Sequence, residues 1–194
     1  GLINRREFER HIAEALASAR QLGLHHMLYV LNLNQFSVVN NTFGYSSGDR
    51  LLVEVVQLLR KELGEHNILS RIGGNEFGML LENSLTEEAQ ATAARHREAI
   101  QNYRFTHNDK SLAISFSAAL IPIAADSENV AALLQAAEAS CHIAQKKGTN
   151  HIQVYQADDP DLSRHMQVVK WVSKIDEALD KQSLVLRHQP IAKI

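Results

Sequence analysis

The sequence predicts an α+β domain in which a mostly antiparallel central sheet is flanked by helices. Short runs rich in apolar and β-favouring residues alternate with longer runs whose apolar residues recur at helical spacing. Two glycines, Gly73-Gly74, separate two of the short runs and indicate a hairpin. The predicted order is α-β-α-α-β-β-α-β-α-β. With 194 residues, 45% of them hydrophobic, the chain is long enough to bury a core.

The helices are predicted from periodicity and from capping residues. The first, over 5–21, carries apolar residues three and four positions apart, from Phe8 to Ala19. Further helices are predicted over 35–42, 48–62, 84–103 and 126–147. Ser84 with Glu87 forms a capping box for the fourth, Asp126 or Ser127 caps the fifth, and Gly148 ends it.

The strands are predicted over 26–33, 67–72, 77–81, 112–121 and 151–155. The first is apolar almost throughout, which is typical of a strand buried on both faces. In the hairpin between the second and third strands, Gly73 and Gly74 are expected to supply the positive φ values of a tight reversal.

Charge and composition narrow the function classes. A formal net charge of -2 disfavours general nucleic-acid binding, which needs a basic face. An RNA-binding ferredoxin-like domain is disfavoured further because the central strands lack paired aromatic residues. The single cysteine, Cys141, is expected to be a small buried residue and fits a reducing compartment. His25, His26 and His142 lack a second ligand at useful spacing, so solvated or packing roles are expected.

Three sequence blocks carry a family resemblance. GLINRREF (1–8), NLNQFSVVNNTFGYSSGDRLL (32–52) and RIGGNEF (71–77) occur in the order and spacing of the GGDEF, or diguanylate cyclase, family, which residues 1–156 resemble. The resemblance implies a fold like that of nucleotidyl cyclases and polymerase palms, with a ferredoxin-like core. It also implies a reaction that joins two GTP molecules into cyclic di-GMP with the help of Mg²⁺.

Residues after 156 form a separate part of the predicted organisation. A linker helix is expected over 157–182, followed over 183–194 by a new strand. The final LRHQPIAKI (186–194) resembles the first strand of an EAL domain, the cyclic di-GMP phosphodiesterase that often follows GGDEF.

The family's metal-binding carboxylates are amides in this chain. Asn32 and Asn75 stand at the two ligating positions and Asn34 at the second acidic position of the first motif, while Glu76 keeps its charge. An amide oxygen brings no negative charge to a hard cation. The family's phosphate-contacting cations are also replaced, by Ser37, Gln145 and Thr149. Weakened Mg²⁺ binding, with Glu76 as the one retained carboxylate, and loss of turnover are expected.

The positions that read the guanine base are kept. Asn40 and Asp49 match the family residues that recognise the base, and Gly73 and Gly74 match the hairpin beside the nucleotide. The alternative is that Asn40 is a turn residue and Asp49 an N-cap.

These residues favour a catalytically inactive GGDEF domain that binds GTP and regulates a downstream EAL domain. The alternatives are a weakly active diguanylate cyclase and a purely structural dimerisation module. The implied partners are GTP, the EAL domain and a second copy of the domain. No apolar run approaches the roughly 18 residues of a membrane span, so no membrane contact is expected within these residues. A cytoplasmic location is expected, with any membrane anchor lying upstream.

Overall fold

The computed structural model describes residues 2–64, 66–108, 110–156, 158–160, 162 and 164. The chain divides into two compact units, Gly1–Gln156 and Ala157–Ile194. The predicted linker helix (157–182) and EAL strand (183–194) lie almost entirely outside the described residues and stay predictions.

The described residues of the first unit form five helices and seven strands. A five-stranded sheet has the order β2-β3-β1-β6-β7, and only its β6–β7 pair is parallel. The elements are α1 (Arg5–Leu22), β1 (His26–Leu33), α2 (Phe36–Phe43), α3 (Tyr45–Leu63), β2 (Ile68–Arg71), β3 (Glu76–Leu81), α4 (Thr86–Asn102), β4 (Arg104–His107), β5 (Lys110–Ala113), β6 (Phe116–Ile123), α5 (Val130–Lys147) and β7 (His151–Val154).

The sheet is covered by helices on both faces, which confirms the predicted fold class. Alternate residues of β1 belong to different cores, because successive side chains of a strand point to opposite faces. Tyr29 and Leu31 pack in one core with residues of α3 and α4. Leu28 and Val30 pack in the other with residues of α1 and α5. The continuous apolar sequence of β1 follows from this two-sided burial.

The first helix matches its prediction closely. Its predicted apolar stripe is buried in full. The side chain of Asn4 accepts a hydrogen bond from the backbone N–H of Glu7 at 2.9 Å, which satisfies one of the free donors at the helix start. Gly23 ends the helix with φ of 68°, a conformation that glycine adopts without strain.

Two predicted caps are wrong. Helix α4 begins one residue later than the predicted Ser84–Glu87 box requires, and the backbone N–H of Leu85 donates to Glu88 Oε2 at 3.2 Å. Helix α5 is capped by Asn129, whose Oδ1 accepts from Ala132 N at 2.9 Å, and not by Asp126 or Ser127. Ser127 instead closes the preceding turn, where its Oγ accepts from the backbone N–H of Ala124.

The predicted strand over 112–121 is two strands in two different sheets. β5 pairs with β4 in a separate two-stranded sheet, whose turn contains Asn108 at φ of 45°. β6 starts only at Phe116 and joins the central sheet beside β1. The chain changes sheets at Ser115, whose carbonyl oxygen accepts a hydrogen bond from the backbone N–H of Asn34 at 2.9 Å. Periodicity alone cannot show this change of partner.

Candidate functional site

The candidate site lies where the end of β1 meets the hairpin between β2 and β3. The antiparallel register of β1 and β3 pairs Asn32 with Glu76. One step further, the backbone N–H of Leu33 donates to the carbonyl oxygen of Asn75 at 3.0 Å. The sheet thus brings Asn32 next to Asn75 and Glu76, which lie 43 and 44 positions further along the sequence.

A chain of hydrogen bonds joins these three side chains. Asn75 Nδ2 donates to Asn32 Oδ1 and to the carbonyl oxygen of Leu33, both at 2.7 Å. Asn32 Nδ2 donates in turn to Glu76 Oε1 at 3.0 Å. All three side chains are half-buried. Asn32 Oδ1, Glu76 Oε1 and the carbonyl oxygen of Leu33 therefore each already accept a hydrogen bond from an amide N–H group.

Gly73 and Gly74 form the predicted turn, but by a different mechanism from the one expected. Neither glycine has a positive φ. A Cβ added at Gly73 would lie 2.7 Å from Glu76 Oε2, so the carboxylate occupies the space that a side chain would need. The turn is also held by Arg71, whose Nη2 donates to the carbonyl oxygen of Gly74 at 2.7 Å. Sequence reasoning missed this role of Arg71.

The side chain of Asn34 forms hydrogen bonds with two serines outside this network. Its Oδ1 accepts from Ser117 Oγ at 3.0 Å, and its Nδ2 donates to Ser115 Oγ at 3.4 Å. These contacts fasten the end of β1 to the start of β6. Nothing in the sequence pattern distinguished Ser115 or Ser117 from other serines.

The predicted base-recognition residues lie on two successive helices. Asn40 is inside α2 and Asp49 is in the second turn of α3, which begins at Tyr45. The alternative roles as turn residue and N-cap are therefore wrong. A Cβ added at Gly48 would lie 3.0 Å from Asn40 Cγ and 3.2 Å from the ring of Phe36, so Gly48 permits the close approach of α2 and α3.

The side-chain oxygen of Asn40 is buried without a hydrogen-bond partner. Leaving a buried acceptor unpaired costs about 1–3 kcal/mol. Asp49, by contrast, is exposed. The Asn40 oxygen lies against Gly48 in the contact between α2 and α3, whereas the Asp49 carboxylate faces solvent.

The positions that carry phosphate-contacting cations in the family are exposed here. Ser37 lies in α2, Gln145 in the last turn of α5, and Thr149 in the loop that follows. The nearby cation Lys147 donates from Nζ to Gln153 Oε1 at 2.8 Å, so it is directed to β7.

Cys141 and His26 have structural environments. Cys141 is buried, as predicted, and burial raises the pKa of its thiol to about 12, with a smaller contribution from the charge of Glu76. His26 is buried, with its Nε2 2.8 Å from Ser18 Oγ and its Nδ1 accepting from Asn83 N at 3.3 Å. Among the described residues, no group of three histidine, cysteine or acidic side chains is arranged to hold a metal ion.

A polar cavity lies at the opposite end of β3 from the hairpin. Its volume is about 430 Å³, and it is lined by residues at the end of α3, after β3 and in α4. Two of the charged side chains that line it, Glu62 and Arg95, pair with each other at 3.6 Å.

No helix in the described part of the chain is long and apolar enough to cross a membrane.

Comparison with known proteins agrees with this fold. The family model "Diguanylate cyclase, GGDEF domain" matches residues 1–151. The cyclic di-GMP phosphodiesterase PdeB of Shewanella oneidensis is 32% identical over 192 residues, which are 98% of this chain and 22% of PdeB. The bifunctional diguanylate cyclase/cyclic di-GMP phosphodiesterase MucR of Pseudomonas aeruginosa is 25% identical over 191 residues, 97% of this chain and 27% of MucR.

Solved structures include a close match in fold. The diguanylate cyclase SiaD of Pseudomonas aeruginosa, in complex with its activator SiaC, superposes with a TM-score of 0.75 at 26% identity, covering 79% of this chain and 59% of SiaD. The chain spans about a quarter of the length of the curated relatives PdeB and MucR. With the family model covering most of its length, the chain belongs to the diguanylate cyclase (GGDEF) domain family of cyclic di-GMP signalling.

Proposed function

We propose that this GGDEF domain no longer condenses GTP, that it binds a guanine nucleotide through Asn40 and Asp49, and that it regulates an EAL domain downstream. The observation that carries the proposal is the hydrogen-bond chain from Asn75 through Asn32 to Glu76. It stands where the family places the carboxylates that hold Mg²⁺.

The loss of catalysis follows from the charge of this site. Mg²⁺ prefers carboxylate oxygens in a near-octahedral arrangement and gives up its water ligands reluctantly. Glu76 is the one carboxylate of the three hydrogen-bonded side chains, and its Oε1 already accepts from Asn32. The residues present therefore do not fit a Mg²⁺ site, and no catalytic step is assigned to the cation.

Nucleotide binding is supported by the retained base-side residues. The guanine edge presents an N–H and an amino group, both of them donors. Asn40 has a buried oxygen that lacks a donor, and Asp49 exposes a carboxylate on the adjacent helix. Rotation of the Asn40 amide away from Gly48 would turn this oxygen to the base, and a donor from the base would then recover the cost of the unpaired acceptor.

A regulatory role is supported by the relatives. PdeB is a cyclic di-GMP phosphodiesterase and MucR is bifunctional, and each aligns with nearly the whole chain, beyond residue 156. The resemblance of 186–194 to an EAL strand points in the same direction. In this arrangement, nucleotide binding to the first unit would change the activity of the phosphodiesterase that follows.

The test is isothermal titration of the domain with GTP, with ATP as the ligand control. We expect heat with GTP, little with ATP, and loss of the GTP signal in Asn40→Ala. Asn41→Ala, an exposed neighbour in α2, is the matched control and should bind as the parent does. Absence of heat with millimolar GTP would leave only a structural role for the domain.

The loss of catalysis has a separate test. The parent domain is incubated with GTP and Mg²⁺, and the product is analysed for cyclic di-GMP by chromatography. We expect none from the parent. Formation of cyclic di-GMP by the parent would show that a weakly active cyclase is the correct assignment. Activity that appears only in the Asn32→Asp/Asn75→Asp double variant would locate the defect in the metal site.

A further inference from the structure

The direction of the hydrogen-bond chain in the site is fixed by its last member. An ionised Glu76 can only accept, so Asn32 must present Nδ2 to it and Oδ1 to Asn75. Asn75 must then donate, and the second hydrogen of its amide goes to the carbonyl oxygen of Leu33. Both N–H groups of Asn75 are therefore used, and the chain ends on a charged acceptor, which strengthens it.

The same chain ties the hairpin to the end of β1. Asn75 is joined to Leu33 twice, because its carbonyl oxygen accepts from the backbone N–H of Leu33 and its side chain donates to the carbonyl. Glu76 is held over the turn at Gly73. The amide groups thus connect the backbone of β1, the turn and the carboxylate in one network.

Aspartates at the two amide positions could not form this network. A carboxylate has no hydrogen to donate, so the carbonyl oxygen of Leu33 and the carboxylate of Glu76 would lose their donors. Three like charges would then repel one another in a half-buried site, and a bound cation would relieve that repulsion.

We propose that the amides of Asn32 and Asn75 make the structure of this site independent of a cation. They hold the hairpin against β1 by hydrogen bonds, so the domain reaches its folded geometry without a divalent metal and does not recruit one. This inference rests on the proposed loss of the metal site, but it does not require that GTP binds.

Thermal unfolding without nucleotide tests the inference. The parent should melt at the same temperature in EDTA and in millimolar Mg²⁺ or Mn²⁺ at matched ionic strength. Asn75→Asp should melt at least about 3 °C lower in EDTA, and the Asn32→Asp/Asn75→Asp double variant lower still. Added Mn²⁺ should recover part of the loss in the double variant, because bound metal stabilises the folded state.

Asn129→Asp is the matched control. It makes the same charge change, but aspartate can still accept from Ala132 N at the start of α5, so the melting temperature should stay close to that of the parent. If Asn75→Asp melts like Asn129→Asp in EDTA, the amide does not hold the hairpin and the inference is wrong.

A measurement on the parent alone keeps the inference testable if the aspartate variants fail to fold. Equilibrium dialysis against Mn²⁺ should find no site occupied at millimolar metal. Occupancy of one site per domain, or a rise in the parent's melting temperature with Mg²⁺, would overturn the inference. Since no nucleotide is present, failure to bind GTP would contradict the proposed function and leave these results unaffected.

Discussion

The ring of Phe8 in α1 lies directly against the backbone of Gly78 in β3. A Cβ added at Gly78 would come within 2.8 Å of Cζ of Phe8 and 3.1 Å of a methyl group of Ile72. Phe8 is fully buried, and Gly78 lies in β3, which is between β2 and β1 in the sheet. The absence of a side chain at residue 78 therefore allows α1 to pack closely on the sheet.

Gly78→Ala should destabilise the domain by about 1–3 kcal/mol, because overpacking forces a well-packed ring out of place. The measurement is the free energy of unfolding in urea. Gly74→Ala is the control, since a Cβ at Gly74 meets nothing within 4 Å. Equal stability of the two variants would show that Phe8 moves aside without cost.

The hairpin glycine beside Glu76 leads to a second prediction. Gly73→Ala should displace the Glu76 carboxylate from Asn32 and cost about 1 kcal/mol, the value of a typical hydrogen bond. A double-mutant cycle with Glu76→Ala measures this, because Gly73→Ala should lower the free energy of unfolding by less once the Glu76 carboxylate is absent. Additive effects of the two substitutions would mean that Gly73 and Glu76 do not interact.

The sequence is sufficient to predict the parts of the fold that depend on local patterns. α1 and β1 were predicted with bounds within one residue of those observed, because an apolar stripe and a continuous apolar run have distinct periods. The β2–β3 hairpin was likewise predicted from its glycines. These features need no knowledge of distant contacts.

Other features depended on contacts between distant residues. β5 is separated from β6 because β5 pairs with β4 and because the backbone N–H of Asn34 donates a hydrogen bond to the carbonyl oxygen of Ser115. The sequence does not reveal either contact. Gly73 was predicted correctly as a turn residue but for the wrong reason, because the position of the Glu76 carboxylate is a tertiary feature. In the site, sequence reasoning identified Asn32 and Asn75 but not the hydrogen bond between them.

Two buried histidines make stability depend on pH. Burial lowers the pKa of both His26 and His96. The nearby carboxylates and, at His96, the hydrogen bond to the carbonyl oxygen of Leu59 act in the opposite direction and offset only part of this lowering of the pKa. The unfolded chain therefore binds more protons than the folded one as the pH falls below the ordinary value of about 6.5. Stability should be full above that pH and should decline below it.

The decline should not exceed about 1.4 kcal/mol per pH unit for each histidine. Urea unfolding between neutral pH and about pH 5, above most carboxyl pKa values, isolates this effect. His26→Gln should flatten the profile, while His66→Gln, at an exposed position, should leave it unchanged. A parent profile that is flat over this range would contradict the burial of the two neutral imidazoles.

The β4–β5 hairpin is fastened to α3 by Arg50. Its guanidinium lies 4.7 Å from the centre of the Phe105 ring and donates to the carbonyl oxygen of Thr106. Lysine would keep the charge but lose the planar group that makes both contacts, so Arg50→Lys should loosen the hairpin while the central sheet is unaffected. Amide hydrogen exchange measures this, and a loss of about 0.5–1 kcal/mol should speed exchange in β4 and β5 by roughly two- to fivefold.

Arg97→Lys, at an exposed position of α4, is the control and should leave exchange in the hairpin as in the parent. Unchanged exchange in Arg50→Lys would mean that the other contacts of the hairpin hold it in place, and faster exchange throughout the sheet would mean that the hairpin and the domain unfold together.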